Sequence, residues 1–111
     1  MKKILLTLLF ILPLSIFAQV TGTIRGIIIE DESGETLPFV TVALTPDGSN
    51  APTSGCSTGE DGSFRLTNVK AGKYTVAISF VGYLEESRNV SITNAKSSID
   101  LGTIRLRSDR K

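Results

Sequence analysis

The groups best equipped for acid/base chemistry in this chain are three runs of neighbouring carboxylates, Glu30-Asp31-Glu32, Glu60-Asp61 and Glu85-Glu86. General acid/base work needs two carboxyls facing each other across a pocket in different environments. These are neighbours in turns or on solvated strands, so they read as solvated turns. Oxygen ligands also suit calcium, but no spaced Asp-x-Asp ladder is present. The chain has no His and one Cys, Cys56. A zinc site built on imidazole or several thiolates therefore lacks its ligands, and a serine or cysteine nucleophile lacks its histidine base. Gly55 and Gly59 bracket Cys56 with no helix following, so no phosphate-cradling loop is implied. The residues predict a non-enzyme with no metal and no cofactor.

What remains is contact chemistry. Tyr83 follows Gly82 at a strand end, where its ring either packs over the sandwich edge or meets a partner. Arg105, Arg107, Arg110 and Lys111 cluster at the C-terminus, either as a solvated edge strand and tail or as a surface for acidic groups. Tyr83, Arg105 and Arg107 are the candidate partner contacts. Cys56 has no second cysteine to pair with and reads as a shielded thiol.

These residues must be positioned by strands. From Thr21 onward, short β segments alternate with Gly, Asp, Asn and Pro signals, and no window carries a helical period. Ile24, Gly26 and Ile28 share one face of a first strand that ends in the turn Glu30 to Gly34, where Gly34 suits a positive φ. Phe39 to Leu44 forms a second strand, with Val40, Val42 and Leu44 inward. Thr45 to Gly55 reads as a surface loop. Asp61-Gly62 signals a hairpin between Cys56-Ser57-Thr58 and Ser63 to Leu66, with Phe64 and Leu66 inward. The longest strand then carries Tyr74, Val76, Ile78 and Phe80 on one face. Leu84 to Ile92 follows, with Val90 and Ile92 inward, and a last segment from Ile99 to Leu106 bends at Gly102. Seven short strands point to a sandwich or small barrel.

The N-terminus has a different character. Met1-Lys2-Lys3 precedes the apolar run Ile4 to Leu12, interrupted by Thr7 and followed by Pro13, which is the layout of a cleavable signal helix. The run is too short for a span of about 20 apolar residues. Residues 1–18 are expected to be removed after Ala18, with Ile16 at the −3 position, leaving 19–111 as one exported domain without a transmembrane span. Losing Lys2 and Lys3 leaves ten basic residues against eleven acidic ones, a balance that argues against nucleic-acid binding.

Gly26 to Val42, with its Glu30-Asp31-Glu32-Ser33-Gly34-Glu35-Thr36-Leu37-Pro38-Phe39 core, resembles the opening signature of carboxypeptidase regulatory-like domains. Thr58-Gly59-Glu60-Asp61-Gly62-Ser63-Phe64-Arg65-Leu66 is similar to that family's turn, and Val69 to Tyr83 to its central strand. Glu30 replaces a usual Asp, and Thr36 a common Pro. The resemblance implies a transthyretin-like, seven-stranded Greek-key β-sandwich, all-β in class. It further implies a place in the periplasm or at the outer membrane, with TonB-dependent, SusC-type transporter machinery as the partner. The chain would then be either a free-standing relative or the leading piece of a longer gene product. A secreted module that binds glycan or protein through a strand edge or the Thr45–Gly55 loop is the alternative.

Overall fold

The computed structural model describes residues 21–110, so the expected signal segment lies outside the described residues. Seven strands follow in order: β1 (Thr21–Glu30), β2 (Thr41–Pro46), β3 (Ser54–Ser57), β4 (Ser63–Lys70), β5 (Gly72–Ser79), β6 (Glu86–Ile92) and β7 (Ser98–Leu106). They form a three-stranded sheet in the order β4-β1-β7 and a four-stranded sheet in the order β3-β2-β5-β6. There is no helix among the described residues. The all-β, seven-stranded sandwich expected from the sequence is what the chain builds.

Alternation along the strands makes the core. Ile24 and Ile28 of β1, Val42 and Leu44 of β2, Val76 and Ile78 of β5, and Ile104 and Leu106 of β7 are buried between the sheets. Each such side chain contributes about 1.5–3 kcal/mol by leaving water. Gly26 completes the inward face of β1 because the Phe64 ring lies over it. A Cβ there would sit 2.8 Å from Phe64 Cε2.

Two strands bury residues out of step with a strict period of two, and each has a local cause. In β4, Phe64 and Leu66 face inward and so does Val69, three residues on, because Asn68 adopts φ 57 and the pairing with β1 slips between Gly22 and Ile24. In β7, Gly102 at φ 71 accompanies a slip between Arg25 and Ile27, producing the expected bend. β7 pairs parallel to β1, whereas the other pairings are antiparallel.

Four readings of the chain need correction. The Asp61-Gly62 turn does not close a hairpin between paired strands: β3 pairs with β2 and β4 with β1, so the turn carries the chain from one sheet to the other. Its tightness is real, since Gly62 N donates to Gly59 O and Asp61 Oδ1 accepts from Ser63 N and Oγ. The Thr45–Gly55 loop is shorter than expected, because β2 runs on to Pro46 and β3 begins at Ser54. β1 is longer than β5. Phe39 is not strand at all: β2 begins at Thr41, and Phe39 lies in a left-handed turn with φ 62.

Candidate functional site

One end of the sandwich gathers most of what could make contact. β1, β3, β5 and β7 end there, and β2, β4 and β6 begin there. Backbone hydrogen bonds tie the ends of the two sheets together, from Leu84 N to Arg107 O at 2.8 Å and from Asp109 N to Gly82 O at 3.0 Å, between the β5–β6 connection and the segment after β7. All three carboxylate runs fall at this end, together with the candidate contacts Tyr83 and Arg107. Lys70, Lys73 and Lys96 stand at the opposite end. No local pattern announces this grouping, because it is a product of topology.

Thr58 builds the part of this end that presents Phe39. It is the buried polar side chain of the described residues, 2% exposed. Its hydroxyl donates to Leu37 O at 2.6 Å and accepts from Val40 N at 2.9 Å. Its backbone adds two more bonds, Phe39 N to Thr58 O and Thr58 N to Val40 O, both 2.9 Å. This clamp fixes both flanks of Phe39. With Val40 drawn fully into the core, Phe39 is held left-handed and its ring is turned to solvent, 67% exposed. A bulky residue in this conformation costs about 1–2 kcal/mol. Sequence reading missed Phe39 as a surface group, although its parity with Thr41 and Ala43, opposite to Val40, carried the signal.

The β5–β6 connection supplies the neighbouring wall. Phe80 turns partly into the core, and Tyr83 stacks on it with ring centroids 5.7 Å apart at 24°. Between them Val81 is thrown outward, 94% exposed, and Leu84 is 47% exposed. Gly82 at φ 91 permits the reversal. Phe39, Thr41, Ser79, Phe80 and Val81 line a shallow groove across the end of β2 and β5. Val81 lies just beyond β5, whose last residue is Ser79. Ser79 and Val81 belong to a face that no other layer covers.

Tyr83 is half-buried, and its hydroxyl donates to the Glu30 carboxylate, which also accepts from Ser33 Oγ at 2.6 Å. The Ser33 bond, and then the Tyr83 bond, hold the Glu30 pKa below its ordinary value. The same carboxylate raises the Tyr83 phenol above its ordinary value, chiefly through their hydrogen bond. Ser63 lowers Asp61 in the same way, while partial burial pushes the Cys56 thiol up against a weaker opposing bond from the Arg65 backbone. Arg105 lies along β7, with Nη1 3.8 Å from Asp31 Oδ1. The structure thus brings Tyr83 and Arg107 together at the tip and places Arg105 beside it on the outer face of the three-stranded sheet.

This geometry gives Glu30 donors rather than an opposing carboxyl. Among the described residues no group of three His, Cys, Asp or Glu side chains is placed to hold a metal ion. The arrangement presents apolar side chains in an acidic surround, which is contact chemistry.

A family model described as "Carboxypeptidase regulatory-like domain" matches residues 23–107. Comparison with curated proteins finds no match. Among solved structures, the chain is similar to BcpA, the major pilin subunit of Bacillus cereus. TM-score is 0.68 and identity 15%, over 81% of this chain and 31% of that one. It is similar to a type II cohesin–X-dockerin complex from Acetivibrio cellulolyticus, with TM-score 0.63 and 28% identity over 78% of this chain and 58% of that one. The 5-hydroxyisourate hydrolase of Klebsiella pneumoniae gives TM-score 0.58 and 17% identity over 78% and 87%. The chain spans less than half the length of the pilin subunits it matches. The pilin and hydrolase likenesses, at such identities, concern the fold alone.

Proposed function

Because the chain belongs to the carboxypeptidase regulatory-like domain family, which its match over residues 23–107 establishes, we propose that it is a non-catalytic interaction module of the cell envelope, accessory to TonB-dependent outer-membrane uptake. In this reading residues 1–18 direct export and are removed, and the remaining domain acts in the periplasm or at the outer membrane. Its partner is a protein of the transporter machinery. Support comes from the N-terminal apolar run, the family, and the recurrence of this fold in a pilin subunit and a cohesin–dockerin complex.

The observation that carries the proposal is the exposed apolar tip. Phe39 and Val81 stand in water although the fold must hold Phe39 in a costly conformation to present it. Nine carboxylates fall at this end of the sandwich, from Glu30, Asp31, Glu32, Glu35, Glu60, Asp61, Glu85, Glu86 and Asp109, against Arg107 and Arg110. The complementary surface is an apolar recess with a basic rim. Tyr83 and Arg107 border the contact, and Arg105 lies at its edge.

The test is capture of the transporter from detergent-solubilised outer membranes by the purified protein, wild type against a Phe39→Ser/Val81→Ser double variant. Capture by wild type and loss in the variant support the proposal. Equal capture by a variant with unchanged melting temperature rejects the tip as the contact.

A further inference from the structure

The three-stranded sheet has an outer face that meets the proposed tip contact only at Arg105. Since Ile24, Gly26 and Ile28 point inward, Arg25, Ile27 and Ile29 of β1 point outward. Register places Arg65 of β4 opposite Arg25, and Arg105 of β7 opposite Ile29. The centre of the face is Ile27, 42% exposed, flanked by Ser63 and Thr103. An open groove beside it is lined by Arg25, Ile27, Ser63, Arg65 and Asp100 together with Cys56 of β3.

Two features of this face work against the stability of the isolated domain. Like charges directly opposite on neighbouring strands repel, and Arg25 and Arg65 are such a pair. Arg65 has no ion pair among the described residues. Arg25 meets Asp100 at 3.4 Å and Arg105 meets Asp31 at 3.8 Å, with all four side chains well exposed. Pairs of that kind are worth little in water. Three guanidinium groups therefore surround an exposed isoleucine, with Asp100 facing Arg25 and Asp31 reaching Arg105 from beyond the end of β1.

We propose that this face docks an extended acidic segment of a protein, with one carboxylate at the Arg25–Arg65 row, an apolar side chain on Ile27, and a second carboxylate at Arg105. Four residues of β1 separate the two cationic rows, about 13 Å at the rise of a strand. On an extended peptide, side chains at i, i+2 and i+4 share a face with that same spacing. The recognised pattern is acidic-x-apolar-x-acidic. A phosphate polymer fits less well. It would leave Ile27 without an apolar contact, and the chain as a whole carries only +1.

The test is fluorescence anisotropy of a labelled peptide containing Glu-Thr-Val-Thr-Glu, titrated with the full protein at low salt. Controls are the same peptide with Lys for both Glu, and with Ser for Val. Arg65→Glu should weaken binding roughly fivefold, with a similar loss in Arg105→Glu. Ile27→Ser should weaken the Val peptide but barely change the Ser peptide. Phe39→Ser, at the separate tip, should bind as wild type, which keeps this outcome independent of the proposed transporter contact. Equal binding of the Glu and Lys peptides overturns the proposal, as does Arg65→Glu binding at wild-type strength with its fold intact. Tighter binding of heparin or of anionic phospholipid vesicles than of the Glu peptide also overturns it.

Discussion

Replacing Thr58 by valine should unfold the protein far more readily than its change in shape suggests. Valine preserves the branching and nearly the volume of threonine, so packing is almost unchanged. The hydroxyl, however, bonds Leu37 O at 2.6 Å and Val40 N at 2.9 Å, and Thr58 is 2% exposed with Val40 fully buried. Removing it leaves the buried Val40 donor and the partly buried Leu37 acceptor without partners, at about 1–2 kcal/mol each for a total near 2–4 kcal/mol. Thr58→Ser keeps both bonds and loses one methyl, about 1 kcal/mol. For a domain of this size the valine variant should melt roughly 10–25 °C lower than wild type. Urea unfolding and thermal melts of the purified variants, followed by circular dichroism, provide the assay. A serine variant as destabilised as the valine variant would refute the reasoning, because the methyl and not the hydroxyl would then hold Thr58 in place.

Phe39→Gly should leave stability within about 1 kcal/mol of wild type: relief of about 1–2 kcal/mol of left-handed strain offsets loss of the buried third of the ring, about 1.5 kcal/mol, and a drop of several kcal/mol in urea unfolding would contradict it. Gly62→Ala should cost more than about 2 kcal/mol, because φ is +80 and the added Cβ would lie 2.8 Å from Ile28 O and from Thr36 Cβ. Gly34→Ala, at φ +75 with nothing within 4 Å, should cost only about 1 kcal/mol, and equal midpoints for the two would reject the steric account. Tyr83→Phe should alter both ends of the stability–pH curve. Glu30 is depressed when folded, so its contribution is present above the ordinary value of 4.5 and lost as pH falls through the lower folded value. Tyr83 is raised, so its contribution is present below its ordinary value of 10.0 and lost as pH rises through the higher folded value. The variant should abolish the alkaline loss and reduce the acid one, and an unchanged curve in urea midpoints against pH would show the bond to be idle.

Much of the fold could be read from the chain because alternation in a sandwich is a local signal. Ile24 with Ile28, Val42 with Leu44, and Val76 with Ile78 are buried as their spacing demands. Turn chemistry was equally local, since Gly34 takes the positive φ that its turn position suggested and Gly102 marks the bend expected in the last strand. Pairing was less accessible. Asp61-Gly62 makes a tight turn with or without a hairpin, and only the partner of β3 decides which, so the crossover between sheets was invisible to a short-range rule. The site was less legible still. Phe39 and Val81 have the hydrophobicity of core residues, and what keeps them outside is the Thr58 clamp in one case and the uncovered face of β5 in the other. Tyr83, Arg105 and Arg107 were identifiable as groups suited to contact. Their gathering around Glu30 and Asp31 depends on β7 running parallel to β1, which no spacing within either strand encodes.

The claim that the tip makes the contact is tested most directly by photo-crosslinking in living cells. A benzophenone amino acid is placed in turn at Phe39, at Val81 and, as a control on the outer face of β5, at Thr75. The account predicts an adduct with an outer-membrane transporter from positions 39 and 81 and none from 75. An adduct from 75 alone, or none from 39 and 81 in cells that export the protein, would contradict it.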